Sequence, residues 1–479
     1  MMQSRDAGPS SPAIEFDAEL IGRLSQLGPR YTSYPTADRF TESFGYGDYL
    51  QTVAAVRRMD RGQPLSLYLH IPFCESLCHY CACNKIITRD HEKAATYLGY
   101  LKREIEMQGH LFAGSRVVEQ LHLGGGTPTF LSDAQMEDLM NHLRRWFKLA
   151  SDEVGEFSIE IDPRTVDRER IFSLRRQGFN RLSMGVQDFD SEVQKSVNRI
   201  QPEHLTLDAM QAAREAGFRS ISIDLIYGLP NQNVISMGAT LSKVIAANPD
   251  RISVYNYAHL PHLFKAQRQI DEALLPDAQT RLDMLGLCIK RLTRAGYVYI
   301  GMDHFAKPDD ELAVAQAQGR LHRNFQGYST HADADLVACG VSAISAVGSS
   351  YSQNVKTLSA YYKQLDAGQL PVARGIRLAL DDVLRRSIIQ MLMCNFELSV
   401  SALEQAFPIS FASHFSRELE ALRQFERDGL LHIDPQWITV TPKGRLLIRN
   451  ICMVFDRYLQ ERRAAPQVEA LPMRYSKTI

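Results

Sequence analysis

Apolar and polar residues alternate along Leu65–Phe73 (LSLYLHIPF), the period of a strand with two unlike faces. Further strand patterns occur at Gln120–Leu123 (followed by three glycines), Phe157–Ile161, Arg181–Val186, Ser220–Ile226 and Arg251–Tyr257. The stretches between them carry the helical period. In Thr280–Ala295, for example, Leu282, Leu285, Ile289 and Leu292 fall on one face. Three helix ends share one phrase: Gly178-Phe179 before Leu182, Gly217-Phe218 before Ile221, and Gly296-Tyr297 before Ile300. Each glycine suits a left-handed helix cap, and the aromatic residue then enters a strand. The first two phrases lie 39 residues apart and the third follows at about twice that interval, which suits a βα repeat of about 40 residues. Strands alternating with helices predict a parallel sheet. The expected fold is therefore α/β, a partial (β/α) barrel of about six parallel strands, with Tyr297–Met302 as a possible further strand.

Segments outside this pattern set the expected domains. Residues 1–50 are loop-rich and contain Arg30-Tyr-Thr-Ser-Tyr-Pro-Thr. Residues 51–375 hold the barrel and its extension, and residues 376–479 are mainly helical. Within the last part, Glu426–Ile433, Trp437–Thr441 and Lys443–Ile448 outline a helix, a hairpin and a second helix, as in a winged helix. Such an outline serves either DNA binding or packing. Nothing there is strongly basic, so packing is expected and no nucleic-acid partner.

Composition narrows the class. Of 479 residues, 45% are hydrophobic and 23% charged, an ordinary globular balance. Lys and Arg number 54 against 55 Asp and Glu, so no global field draws the chain to nucleic acid or a membrane surface. No run reaches the roughly 18 apolar residues of a membrane helix. The opening MMQSRDAGPSSPAIEFD lacks the apolar core of a signal peptide. A cytoplasmic protein is expected.

The eight cysteines carry the chemistry. Cys288, Cys339, Cys394 and Cys452 stand alone and read as small buried apolar residues. Cys74, Cys78, Cys81 and Cys83 crowd into one loop directly after the first strand. In a barrel that loop lies at the carboxyl ends of the strands, where active sites collect. Thiolates so close in sequence can converge on one soft metal centre. A structural zinc site usually draws ligand pairs from separate segments, whereas one loop supplying every thiol favours an iron–sulfur cluster. Zinc stays open on spacing alone.

The Cys74-x3-Cys78-x2-Cys81 triplet resembles that of the radical S-adenosylmethionine (SAM) superfamily. An ordered set of further phrases is similar to one family within it, the bacterial oxygen-independent coproporphyrinogen III oxidases. The set is Tyr68-Leu-His-Ile-Pro-Phe-Cys, Gly124-Gly-Gly-Thr-Pro-Thr, Glu160-Ile-Asp-Pro-Arg, Ser183-Met-Gly-Val-Gln-Asp-Phe, Asp224-Leu-Ile-Tyr-Gly-Leu-Pro, Asn256-Tyr-Ala-His-Leu-Pro, Gly301-Met-Asp-His-Phe-Ala and Arg323-Asn-Phe-Gln-Gly-Tyr. The resemblance runs from about residue 28 to about residue 460. A haem-handling radical-SAM relative would share the barrel and the triplet, but the Arg30–Thr36 segment and Cys83 argue against it.

The resemblance implies a [4Fe–4S] cluster on Cys74, Cys78 and Cys81, two SAM molecules, and oxidative decarboxylation of two propionates of coproporphyrinogen III to vinyl groups, giving protoporphyrinogen IX. A 5′-deoxyadenosyl radical would begin the reaction. Cys83 matches a cysteine that does not ligate the cluster. Tyr68, Ala258 and Ile344 match contacts to the first SAM, and Tyr80 matches an aromatic position inside the cysteine loop. Gly125, Gly126 and Thr127 end the second strand, where glycine permits close backbone approach. Glu160, Gln187 and Asp224 lie at or near the ends of the next three strands and add polar contacts, and Arg199 suits a SAM carboxylate. The tetra-anionic substrate calls for cations, for which Arg30, Arg323 and His304 are candidates, with Tyr31 and Tyr34 closing the pocket. An electron donor, an electron acceptor and a monomeric state complete the expectation.

Overall fold

The computed structural model describes residues 14–59, 62–112, 114 and 116–464. The polar opening stretch therefore lies mostly outside the described residues. The chain forms two compact units, each assembled from separate segments. Among the described residues, one comprises 36–284 and 331–383, the other 14–35, 285–330 and 384–464.

The larger unit is built on one sheet. Its strands are β1 (Leu65–Ile71), β2 (Val117–Gly125), β3 (Glu156–Ile161), β4 (Arg181–Gln187), β5 (Ser220–Tyr227), β6 (Arg251–Asn256), β7 (Asp335–Cys339), β8 (Ile344–Val347), β9 (Ser350–Asn354) and β10 (Val372–Arg377). Strands β1 to β6 are parallel and lie side by side in chain order, the expected βα run of an open barrel. Beyond β1 the sheet continues through β7, also parallel, and then through antiparallel β8, β9 and β10. The seventh parallel strand is thus Asp335–Cys339.

Helix ends follow local rules. Ser132 and Gln135 form a capping box on Asp133–Trp146, and Asn233 with Ser236 does the same for Val234–Ala247. Gly217 sits at φ 83°, with its N–H on the Ala213 and Arg214 carbonyls. Gly178 and Gly296 share the left-handed region, so the repeated glycine phrase is a repeated helix cap.

The two faces of the parallel sheet differ. Leu65, Leu67, Leu69 and Ile71 of β1 are at most 1% exposed, and Leu121, Leu123, Ile159, Leu182, Met184, Ile221, Ile223 and Ile252 are equally buried on the strands beside it. The opposite face carries Ser66, Tyr68 and His70, then His122, Ser158, Glu160, Ser183 and Asp224. Parallel sheets covered on both faces are normally apolar throughout. A polar row across β1 to β5 marks a face that receives a polar ligand.

The smaller unit contains a hairpin of Val298–Gly301 and His304–Ala306, so the strand expected at Tyr297–Met302 is present and pairs antiparallel. Its carboxyl-terminal part joins helix Ser416–Arg427 to a three-stranded sheet of Glu397–Ser399, Trp437–Val440 and Leu431–Ile433, the winged outline expected there. Among the described residues, no helix is long and apolar enough to cross a membrane.

Candidate active site

The cysteine loop is closed at its base. Phe73 and Cys74 pair parallel with Ile86 and Ile87, Ile86 N–H donates to the Pro72 carbonyl (2.7 Å) and Thr88 N–H to that of Cys74 (2.9 Å). From beneath, Gly126 N–H donates to the Ile71 carbonyl and Thr127 N–H to that of Phe73, both at 2.8 Å. A Cβ on Gly126 would lie 2.7 Å from the Pro72 and Phe73 backbone, and one on Gly125 (φ 115°) would lie 2.6 Å from the His70 ring. Glycine is required at both positions for the second strand to support the loop.

All eight cysteines are free thiols. Each of the three in the triplet meets a different donor. Thr127 Oγ1 donates to Cys74 Sγ (3.4 Å), Arg199 Nη1 donates to Cys78 Sγ (3.5 Å), and the Cys83 thiol bonds the Cys81 sulfur. Burial pushes the Cys74 thiol up to about 11. The Cys83 hydrogen bond, with Lys85 close by, brings Cys81 down to about 6 despite burial. Cys81 therefore loses its proton more readily than an ordinary thiol, and Cys74 less readily.

Among the described residues, no three His, Cys, Asp or Glu side chains converge closely enough to hold a single metal ion. A tetrahedral zinc ion needs its sulfurs about 2.3 Å from one point. Three thiols on one loop, near enough to repel one another's charge, fit a multi-iron cluster.

The polar row forms a hydrogen-bonded chain. Tyr68 stacks on the His122 ring at 5.8 Å, and its hydroxyl lies 3.1 Å from His70 Nδ1. His70 Nε2 donates to the Asn84 carbonyl (2.9 Å), so its Nδ1 is the acceptor for Tyr68. His122 Nε2 lies 3.1 Å from Glu160 Oε1, and Gly125 N–H donates to Glu160 Oε2 (3.3 Å). Burial opposes the Glu160 charge, but His122 and the Gly125 amide outweigh it and hold the carboxyl below its usual range. Burial pushes Asp224 up to about 7, against the Ser253 and Ser183 hydroxyls that hydrogen-bond it.

Gln187 has a left-handed backbone (φ 67°), and its Nε2 and Arg199 Nη2 lie 2.6 and 3.3 Å from where a Gly185 Cβ would sit. Among the described residues, buried Gln187 Oε1 and Arg199 Nε find no hydrogen-bond partner. Unpaired buried polar atoms cost about 1–3 kcal/mol each, so their presence at strand ends suits a polar ligand that satisfies them.

The remaining expected residues take their places around this core. The Tyr80 ring packs on Val193, Val197, Leu229, Tyr257 and Ile270, and its hydroxyl bonds Cys78. Gln267 Nε2 bridges the Tyr80 (3.1 Å) and Ala258 (3.2 Å) carbonyls. Ile344 opens β8 opposite Gln353. Sequence reasoning missed His122, Gln267, Asp162 and Arg164. Arg164 donates two bonds to Asp162 (2.6 and 3.0 Å) and borders a cavity of about 430 Å³ with Glu75, Thr127 and Thr165.

In the smaller unit, Arg30 pairs with Asp303, Arg323 lies over the Tyr328 ring (4.7 Å), and His304 meets the same ring edge-on (5.3 Å). Arg449, buried and beside Arg30, is lowered to about 9. Arg323 is 3% exposed, and its Nη1 has no partner among the described residues. Tyr31 and Tyr34 are buried, with the first hydroxyl donating to Asp456 (3.0 Å) and the second accepting from Arg457 N–H (3.1 Å).

Known proteins resemble the chain closely. The radical SAM superfamily profile matches residues 68–244, and the HemN C-terminal domain profile matches residues 378–447. An oxygen-independent coproporphyrinogen III oxidase of Escherichia coli is 53% identical over 94% of this chain and 97% of its own length. One from Pseudomonas aeruginosa is 52% identical over 93% and 96%. A solved structure described as coproporphyrinogen III oxidase (HemN) from Escherichia coli, a radical SAM enzyme, superposes with a TM-score of 0.88 at 52% identity, covering 93% of this chain and all of that one.

Proposed function

The chain belongs to the oxygen-independent coproporphyrinogen III oxidase family of radical SAM enzymes, and on that premise we infer how its own residues divide the work. It is an enzyme of porphyrin biosynthesis that converts two propionates of coproporphyrinogen III to vinyl groups without oxygen, using a [4Fe–4S] cluster and SAM. When bound at Cys74, Cys78 and Cys81, the cluster would supply the one-electron chemistry that SAM-dependent hydrogen removal from a propionate needs.

Cys74, Cys78 and Cys81 hold the cluster. The observation that carries this reading is the clasped loop of free thiols at the carboxyl end of β1, beside a polar sheet face. Tyr68, Gly125, Gly126, Thr127, Ala258 and Ile344 bind the first SAM, with Tyr80 shaping the loop. Glu160 and Asp224 receive hydroxyl or ammonium groups. Gln187 and Arg199 offer unpaired atoms to the second SAM, whose carboxylate Arg199 binds. Arg30, Arg323 and His304 serve the substrate's propionates. The electron donor and acceptor are separate molecules, and the enzyme works as a cytoplasmic monomer.

The test is anaerobic turnover of coproporphyrinogen III with SAM and a reductant. Protoporphyrin after oxidation and 5′-deoxyadenosine are the expected products. Neither product from protein with a full cluster would overturn the reading.

A further inference from the structure

Asp162 directly follows β3, caps the short helical turn Pro163–Thr165 and grips two arginines. It accepts from Arg164 Nη2 (2.6 Å) and Nε (3.0 Å), and from Arg199 Nη1 (3.2 Å). Both guanidinium groups reach one sulfur, Cys78 Sγ, at 3.9 Å from Arg164 Nη2 and 3.5 Å from Arg199 Nη1. Among the described residues, Cys74 receives the Thr127 hydroxyl on sulfur, while Cys81 receives the Cys83 thiol and Lys85, whose ammonium also meets the Cys81 carbonyl (3.0 Å). Cys78 takes two guanidinium groups at its one sulfur.

We propose that Arg164 is a positioning residue of the redox centre, which together with Arg199 and under the counter-charge of Asp162 places net positive charge on the Cys78 sulfur and raises the reduction potential of the cluster. The proposal rests on the reading that Cys74, Cys78 and Cys81 hold a [4Fe–4S] cluster. Cluster potentials follow net charge and hydrogen bonds to the ligating sulfurs. Reduction adds one electron, so a cation at a ligand sulfur stabilises the reduced form more than the oxidised form. Two arginines against one aspartate leave one positive charge. The side chains are little exposed, 8% for Arg199, 10% for Asp162 and 19% for Arg164, so water screens the charge only in part. Arg164 borders the 430 Å³ cavity and lies farther from the sulfur, so its share is the smaller. The arrangement keeps a low-potential cluster within reach of a biological electron donor.

Arg164→Met and Asp162→Asn provide the test because they alter the charge in opposite senses. Asn retains the oxygen that caps the Arg164 amide at 3.0 Å. Each variant is reconstituted anaerobically with its iron and sulfide counted, and its midpoint potential is read by an EPR-monitored titration. Arg164→Met is expected to shift the potential negative and Asp162→Asn positive, with Arg164→Lys between Arg164→Met and the unmodified protein. Full iron with no shift, or shifts of the same sign in both variants, overturns the proposal. Loss of iron from both does so too, since it would assign the pair to holding the cluster. An unmodified protein without a cluster signal would instead remove the reading beneath it.

Discussion

His122 on β2 donates from Nε2 to Glu160 Oε1 on β3 across 3.1 Å, while its ring stacks on Tyr68 of β1. One imidazole thus fixes two expected SAM contacts on neighbouring strands. His122→Phe retains the stacking and removes the hydrogen bond. Glu160 then keeps the Gly125 amide and loses its strongest support. SAM affinity of the reconstituted enzyme should fall about tenfold, the scale of one charge-assisted hydrogen bond of about 1.4 kcal/mol. Calorimetric titration of SAM checks this, and unchanged affinity would remove His122 from the site.

Asp224 carries a pH signature. Its carboxyl stands near 3.8 when unfolded and at about 7 in the folded chain, because burial disfavours the charge. The unfolded state therefore releases this proton first. Stability contributed by the neutral form is complete below the lower value and is lost as pH rises toward about 7. Asp224→Asn has no such loss, so its melting temperature should gain on the unmodified protein between about pH 5 and pH 8. Equal gains at both pH values would contradict the shift. SAM binding should weaken in the same variant.

Much of this was legible in the chain itself. Alternation located β1 to β6, and the glycine phrases located helix caps, because both signals are local. The triplet located the cysteine loop after β1 for the same reason. Two things were hidden. The seventh parallel strand, Asp335–Cys339, lies far along the chain from its partner β1, and no local pattern reports that pairing. His122, Asp162 and Arg164 each read as an ordinary polar residue in a strand or turn. Their meaning comes from Glu160, Arg199 and Cys78, which other segments bring within hydrogen-bond reach.

Gly126→Ala tests the floor of the cysteine loop. The added Cβ would stand 2.7 Å from the Pro72 carbonyl carbon and oxygen, which are backbone atoms with little freedom to move. Relief requires Gly126 N–H to leave the Ile71 carbonyl, and Cys74 shifts with it. The variant should fold but bind markedly less iron, with three additional thiols open to a thiol reagent. Full iron loading would show that the loop tolerates the shift.

Arg323 in the smaller unit offers a buried Nη1 without a partner among the described residues, next to Arg30, which pairs with Asp303. A propionate would satisfy that nitrogen. Arg323→Met should raise the substrate KM at least tenfold, as expected for loss of a charged hydrogen bond worth about 1.5–3 kcal/mol. SAM cleavage without substrate should be unchanged. A normal KM would reassign Arg323 to structure.

Glu104 holds the turn after β7 by accepting from the Gly340 amide (2.7 Å), Asn354 Nδ2 (2.7 Å) and the Tyr361 hydroxyl. That turn has no slack, since a Cβ on Gly340 would meet the Tyr97 hydroxyl at 2.5 Å and the His70 carbonyl at 2.7 Å. Three donors converge on one carboxylate, so Glu104→Gln sets an N–H against a donor and should cost about 1–3 kcal/mol. Burial also raises Glu104 from 4.5 to about 7. The unmodified protein therefore loses part of this stabilisation as pH climbs through that window, whereas glutamine does not titrate. The destabilisation by Glu104→Gln should be largest near pH 5 and smaller near pH 8, read from denaturant unfolding at both values. A gap that widens with pH would mean that Glu104 is ionised throughout and that its three donors outweigh its burial.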